Sequence, residues 1–152
     1  MQLAPSGADE QLHHTQLQPG CAEARLATAK AWIQARHWRD KILECDLFVD
    51  PAWDIMLDLY EKYYKGKSVT VTSACLAARV PMATAFRQLS RMVAAGWITR
   101  QEDAADRRKV QVLLTRQAIE RMDAVMDIAL KNERRLTSTP APIALLSADS
   151  NR

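Results

Sequence analysis

A predicted helix near the middle of the chain presents side chains that could read the edges of DNA bases. Its apolar residues recur at helical spacing and predict one buried face: Met82, Ala85, Phe86, Leu89, Met92 and Val93. The opposite stripe is small or hydrogen-bonding and holds no acid: Ala83, Thr84, Arg87, Ser90, Arg91 and Ala94. Thr84 and Gln88 can bond base edges in a major groove, and Arg87 can address guanine or a phosphate. The alternative is an ordinary amphipathic helix with a solvated basic face.

A charged hairpin is predicted directly after this helix. Gly96 suits the positive φ of a helix end, and residues 97–100 and 110–114 predict two short strands. The loop between them reads EDAADRRK and carries three adjacent cations: Arg107, Arg108 and Lys109. One of these could enter a minor groove, where negative potential is concentrated, while the others bind phosphates and Asp106 orients an arginine. Alternatively, the tip is solvated and serves only solubility.

Positive charge is concentrated around this helix and hairpin. Residues 79–116 contain eight Lys or Arg and three acids, a local charge of +5, whereas the whole chain carries +3. The rest of the chain therefore sums to −2. Such a local concentration is the electrostatic footprint of a polyanion-binding face rather than of a generally basic protein.

The end of the hairpin carries the motif D-x-R-x5-L-T, formed by Asp106, Arg108, Leu114 and Thr115. Together with the preceding helix and Gly96, this motif resembles the wing of the MarR family over roughly residues 50–136. The resemblance implies a dimeric DNA-binding transcription regulator, often a repressor that small ligands or oxidants release. It implies the wing's acid and base pair at Asp106 and Arg108, and a DNA-facing helix bearing Thr84, Arg87 and Arg91. Ala118 stands where the family usually has glycine, and the first helix of the motif is short and alanine-rich.

These observations predict sequence-specific binding of double-stranded DNA by a transcription regulator, with the helix in the major groove and the wing arginines in the minor groove. The expected DNA-binding residues are Ala83, Thr84, Arg87, Gln88, Arg91, Asp106, Arg107, Arg108 and Lys109. A homodimer and a small-molecule effector are the other expected partners. The alternative function is a winged-helix module that binds another protein and no DNA.

Caps and apolar spacing predict the elements that position this surface. We expect a long helix over residues 21–44, a helix capped by Asp50 that runs to about Tyr64, and a helix capped by Thr115 that runs to about Leu136. Residues 69–72 predict an edge strand of the wing sheet, followed by a short helix capped by Ser73. The first and last helices each have an apolar stripe that predicts dimerisation.

The composition favours one mainly helical domain. The chain has 152 residues, 48% of them hydrophobic, which suffices for one compact core. Only 4 glycines and 6% aromatic residues accompany abundant alanine and leucine. The expected fold is mainly α with a small β-hairpin wing, a winged helix-turn-helix that forms a two-fold dimer. We expect flexible tails over residues 1–20 and 137–152 around a domain of residues 21–136.

Residue spacing argues against an enzyme, a metal protein or a membrane protein. We find no nucleophile with a base, no paired carboxylates, no phosphate-binding glycine loop and no metal-ligand spacing, so we expect no catalysis and no cofactor. His13 and His14 are expected to be solvated in the N-terminal tail. No apolar run has the length of a membrane span and no signal sequence is evident, which predicts a cytoplasmic protein.

The cysteines and the aromatic residues have both structural and functional interpretations. Cys21, Cys45 and Cys75 are too few and too far apart for a disulfide framework, and we expect Cys75 to be a small core residue. An oxidant-sensing thiol is the alternative that the resemblance offers. Trp53 and Tyr60 belong to an apolar stripe predicted to be core. If an effector binds, we expect it in the dimer crevice near these two residues.

Overall fold

The computed structural model describes residues 19–103, 106 and 108–138, which form five α-helices and one β-hairpin. The helices are α1 (Pro19–Leu43), α2 (Pro51–Tyr64), α3 (Val71–Ala77), α4 (Met82–Ala94) and α5 (Arg116–Ser138). A short 3-10 helix, Asp46–Phe48, lies between α1 and α2. The strands β1 (Ile98–Glu102) and β2 (Val110–Leu114) lie between α4 and α5. This order confirms the mainly helical winged helix-turn-helix that the sequence predicts.

The two outer helices extend slightly beyond the expected domain. Helix α1 begins at Pro19 and α5 ends at Ser138, so two residues of each expected tail are helical. The remaining residues of both tails, including His13 and His14, lie outside the described part of the chain. The tail assignments at residues 1–18 and 139–152 therefore stay predictions.

Three element ends follow from local chemistry as predicted. The Asp50 carboxylate accepts a hydrogen bond from the backbone N–H of Trp53 at 3.2 Å, and Pro51 occupies the first position of α2. The Thr115 hydroxyl caps α5 by accepting from the N–H of Ala118 at 3.2 Å. Gly96 follows α4 with a φ of 74°, a left-handed conformation that glycine adopts without steric penalty.

The start of α3 differs from the prediction. Thr70, and not Ser73, is the cap residue, because the Thr70 hydroxyl accepts a hydrogen bond from the N–H of Ser73 at 3.2 Å. The helix therefore begins at Val71 and absorbs half of the strand expected over residues 69–72. What remains of that strand is a bridge between Thr70 and Gln111, supported by the Val112 N–H bonding to the Val69 carbonyl at 2.8 Å.

The turn between α3 and α4 is held against the first helix. Arg79 in this turn has a φ of 54°, and its guanidinium contacts the Asp40 carboxylate of α1 at 2.9 Å. Burial raises the pKa of the Asp40 carboxyl, but the hydrogen bonds from Arg39 and Arg79 lower it, and the net pKa is below the ordinary value. Pro81 then precedes α4, where its fixed φ suits a helix entrance. These constraints set the direction in which α4 leaves the turn.

The hairpin is a regular antiparallel pair whose base adjoins the start of α5. Its register runs from Ile98 opposite Leu114 to Glu102 opposite Val110. Ile98 and Val112 are buried, whereas the other residues of β1 are exposed. The base of the hairpin is thus packed on the core, and its far end is free to project as a wing.

One apolar core joins α2, α3, α4, the base of the hairpin and α5. Its largest buried side chains are Tyr60, Ile55, Leu57, Leu89, Ile98 and Met126. Several residues predicted to be core are instead substantially exposed: Tyr63, Met82, Phe86 and Val93. On α4 only Ala85, Leu89 and Met92 are buried, so its core stripe is narrower than the apolar spacing suggests.

A buried ionic cluster connects α1, α2 and α5. Arg25 is 6% exposed, and its guanidinium contacts Asp127 at 2.6 Å and Asp123 at 3.2 Å. The hydroxyls of Tyr60 and Tyr64 both donate to Asp123 Oδ1 at 2.6 Å. Burial and the bond to Asp123 raise the pKa of Tyr64 to about 12, so this hydroxyl stays protonated and can donate. The cluster therefore fixes how three helices sit relative to one another.

We predict that Asp123→Ala strongly destabilises the protein, because it leaves Arg25 without one counter-charge and two tyrosine hydroxyls without their acceptor. The free energy of unfolding should fall by about 3 kcal/mol in urea denaturation. Glu120→Ala on the same helix is the control, since its exposed pair with Arg116 should contribute under about 0.5 kcal/mol. Equal decreases in the free energy of unfolding of the two variants would contradict a stabilising role of the cluster.

The stability should also depend on pH through Asp127. Its hydrogen bond from Arg25 lowers the pKa of this carboxyl below the ordinary value of 3.8. The stabilisation is therefore complete above pH 3.8 and is lost as the pH falls through the lowered pKa of the folded state. Urea denaturation at several pH values should show wild type more stable than Asp127→Asn near neutrality and equal to it in acid. A constant difference across this range would be inconsistent with the linkage.

Candidate nucleic-acid interface

The outward face of α4 presents the stripe that the sequence predicts. Ala83, Arg87, Ser90, Arg91 and Ala94 are exposed, and Thr84 is half-buried. Ala85, Leu89 and Met92 lie on the opposite side of α4 and pack into the core, so the stripe faces outward. Small residues at the exposed positions leave the helix backbone accessible to a close partner.

The wing projects its cations into solvent. The Arg108 side chain is 94% exposed, and its Nε lies 3.4 Å from Asp106 Oδ1. The same carboxylate oxygen accepts from the Arg108 backbone N–H at 3.1 Å, and Lys109 Nζ lies 3.7 Å from the second oxygen. Asp106 thus contacts Arg108, one of the arginines that it was predicted to orient, while Arg107 lies outside the described residues.

A groove lies between α4 and the wing. Its volume is about 500 Å³ and its lining includes Thr70, Thr72, Phe86, Arg100, Arg108 and Lys109. Three elements contribute to it: the entrance of α3, one flank of α4, and both strands with their connecting loop. The arginine and lysine side chains make it a basic groove that connects the helix to the tip of the hairpin.

Arg100 and Phe86 form part of this groove and were not predicted as site residues. The Arg100 guanidinium lies over the Phe86 ring, 5.0 Å from its centroid, and its Nη2 donates to Ser90 Oγ at 3.3 Å. Ser90 Oγ in turn donates to the Phe86 carbonyl at 3.0 Å. The only sequence signal for Arg100 was its place in the basic segment 79–116, because strand alternation would put it on the same face as buried Ile98. Apolar spacing assigned Phe86 to the core.

The opposite flank of α4 borders a second, mostly apolar pocket of about 510 Å³. Gln88 and Arg91 of α4 contribute to its wall, together with residues of α2, α5 and the start of the hairpin: Trp53, Met56, Trp97, Arg121, Met122 and Val125. Trp53, which was predicted to be core or to lie near an effector in a dimer crevice, lines this pocket within one chain. Tyr60 does not, because it is fully buried and its hydroxyl is bound to Asp123. The predicted DNA-binding residues of α4 are therefore divided between two sides of the helix.

Three arginines of this interface lack ion pairs with any described acid, whereas three arginines of the helical body have them. Arg25, Arg36 and Arg79 each contact a carboxylate on another element. Arg87, Arg91 and Arg100 form no ion pair with any acid in the described part of the chain. Their positive charge is available to an external anion.

The cysteines and acids suggest no further chemistry at this surface. Cys75 is 2% exposed in α3, and burial raises the pKa of its thiol, which disfavours a reactive thiolate. Among the described residues, no group of three or more His, Cys, Asp or Glu is placed to hold a metal ion. In the same residues, no helix has the length and apolar character of a membrane span.

Comparison with known proteins relates this architecture to solved structures. No family model matches the chain, and the comparison with curated proteins found no match. A point mutant of MepR from S. aureus superposes with a TM-score of 0.52 at 21% identity and covers 72% of this chain and 78% of its own. MepR bound to ethidium bromide gives a TM-score of 0.52 at 19% identity, covering 76% and 83% of the two chains.

A MepR mutant bound to an oligodeoxyribonucleotide has a TM-score of 0.51 at 18% identity and covers 74% of this chain and 79% of its own. Identities at this level establish a shared fold. The five helices and the two-stranded hairpin occur in the order that the resemblance to MarR proteins predicts. The chain therefore has the MarR-like winged helix-turn-helix fold.

Proposed function

We propose that the protein is a MarR-like transcription regulator that binds double-stranded DNA, and that it acts as a repressor without catalytic activity. The observation that carries this proposal is the set of arginines without ion pairs on α4 and β1, adjacent to an exposed basic wing. The fold neighbour MepR is a transcription regulator and has been solved in a complex with DNA. In this proposal α4 enters the major groove and the wing enters the minor groove.

Each α4 residue has a role that follows from its exposure. Arg87, exposed at the centre of the stripe, is placed to bind guanine or a phosphate, and the small side chains of Ala83 and Ala94 permit close approach. Thr84 is the hydrogen-bonding residue nearest the helix entrance. Gln88 and Arg91 reach DNA from the flank that borders the apolar pocket. Arg107, Arg108 and Lys109 supply the minor-groove and phosphate contacts of the wing.

We propose that the protein is a homodimer formed through its outer helices. Trp38, Ile42 and Leu43 on α1 and Ile128 on α5 are large apolar side chains that one chain leaves exposed. A second copy that covers them would bury apolar surface and relate two α4 helices by a two-fold axis. Two such helices would meet successive major grooves about 34 Å apart, so the operator should be pseudo-palindromic.

The apolar pocket is the proposed site for a small-molecule effector. Two tryptophans and three methionines supply apolar walls, while Arg91 and Arg121 supply two positive charges against one carboxylate, Asp50. The pocket therefore suits an apolar molecule with an anionic group. Because Gln88 and Arg91 belong both to this pocket and to the proposed DNA surface, an occupant should compete with DNA.

A protein-binding module without affinity for DNA is the second candidate function. The exposed Phe86, Val93 and Met82 on one flank of α4 favour it, because apolar contacts dominate the centre of many protein interfaces. The two candidates differ in salt dependence, since binding to DNA releases counterions and weakens steeply with salt.

We predict that Arg108→Ala weakens DNA binding and flattens its salt dependence, because the wing then neutralises one phosphate fewer. In fluorescence anisotropy titrations the slope of log affinity against log salt should fall by about 0.9 for that phosphate. Arg116→Gln is the matched control, because Arg116 follows the base of the hairpin, opposite the tip. Unchanged affinity and slope for Arg108→Ala would refute the role of the wing.

We predict that anilinonaphthalene sulfonate, an apolar anion, binds the pocket and lowers the affinity for DNA. Val125→Trp should fill the pocket and abolish the fluorescence increase of this dye, because Val125 lines the wall. Gln117→Trp on the same helix is the control, since Gln117 is exposed and does not line the pocket. Dye binding that Val125→Trp leaves unaffected would place the dye elsewhere.

A further inference from the structure

The basic groove between α4 and the wing has a defined position relative to the proposed DNA complex. The major and minor grooves of a duplex are separated by a sugar-phosphate strand. If α4 lies in the major groove and the wing lies in the adjacent minor groove, the strand that divides them must pass between α4 and the wing. The surface between those two elements is the groove that contains Phe86, Arg100 and Thr72.

We infer that this groove is a seat for one DNA backbone strand, in which Arg100 binds a phosphate and Phe86 positions the Arg100 guanidinium. The inference rests on the proposed function and deepens it. Arg100 is exposed and lies on β1, outside the stripe of α4 that faces the bases. Arg100 lines the groove together with Thr72, Arg108 and Lys109, so the groove contains a cationic hydrogen-bond donor between α4 and the hairpin.

The contacts of Arg100 fit a phosphate ligand. Its guanidinium lies over the Phe86 ring, and one Nη2 hydrogen bond goes to Ser90 Oγ. A guanidinium has five N–H donors in its plane, so most of them stay available after these contacts. No described carboxylate forms an ion pair with Arg100, and a phosphate would be its first charged partner. The contact with the Phe86 ring also reduces the side-chain entropy that the arginine would lose on binding.

Phe86 positions the Arg100 guanidinium in this inference. Its ring is 48% exposed, although its spacing on α4 predicts a core residue. The ring lies between the core stripe and the groove, with the Arg100 guanidinium 5.0 Å from its centroid. A cation over an aromatic face is attracted by the ring quadrupole, which holds the guanidinium in place before DNA arrives.

The test is a double-mutant cycle on a fluorescein-labelled random-sequence duplex and on a duplex that the protein selects from random DNA. Arg100→Ala should weaken binding to both duplexes about tenfold at low salt and reduce the salt slope by about 0.9. Phe86→Leu should weaken binding about threefold because the guanidinium loses its cation–π contact. With Arg100→Ala already present, Phe86→Leu should cause no further decrease, because its effect acts through Arg100. Arg100→Lys should keep the salt slope and lose part of the affinity.

Controls separate this inference from the proposed function. Arg116→Gln removes the same charge from an exposed arginine that is paired with Glu120, and its binding should equal that of wild type. Failure of the wild-type protein to bind either duplex would overturn the proposed function. Wild-type binding that Arg100→Ala leaves unchanged in strength and slope would overturn the phosphate seat alone. A decrease confined to the selected duplex would assign Arg100 to base reading and would also overturn it. Circular dichroism confirms that each variant is folded.

Discussion

The helical body is organised around one buried cation. Transferring the Arg25 guanidinium out of water is costly, and the cost is offset only if counter-charges meet it in the interior. Asp123 and Asp127 of α5 meet it, and the hydroxyls of Tyr60 and Tyr64 bring α2 to the same carboxylate. Because α2 also contacts α3, α4 and β2, the position of α4 depends on this arrangement. The cluster therefore connects the stability of the body to the placement of the interface.

Features that depend on neighbouring residues could be predicted from the sequence. The caps at Asp50 and Thr115 and the left-handed Gly96 each need only a few adjacent residues, and the structure confirms them. Local chemistry becomes ambiguous when two similar residues compete. Thr70 and Ser73 are both hydroxyl residues three positions apart, and the cap of α3 is Thr70, whose hydroxyl bonds the N–H of Ser73 itself.

Features that depend on tertiary contacts could not be predicted. Arg25 and Asp127 are 102 positions apart, and nothing in the spacing of either residue indicates the other. Helical spacing also cannot show which apolar side chains at the border of a buried face are covered. It gives the direction of a side chain but not the neighbouring element that the side chain meets. Phe86 points toward the wing, where β1 supplies Arg100 instead of an apolar neighbour. The same limit concealed the groove, which exists only because the hairpin folds back beside α4.

The two concave surfaces beside α4 would allow an effector to regulate DNA binding without a change of fold. Arg91 and Gln88 line the apolar pocket and belong to the proposed DNA surface, so an occupant can change their positions without moving any helix. Linkage requires that such an effector and DNA weaken each other's binding by the same factor. The basic groove lies on the other flank of α4 and shares neither residue. Backbone binding through Arg100 would therefore persist in part when the pocket is filled, and regulation would act mainly on base contacts at the pocket side of the helix.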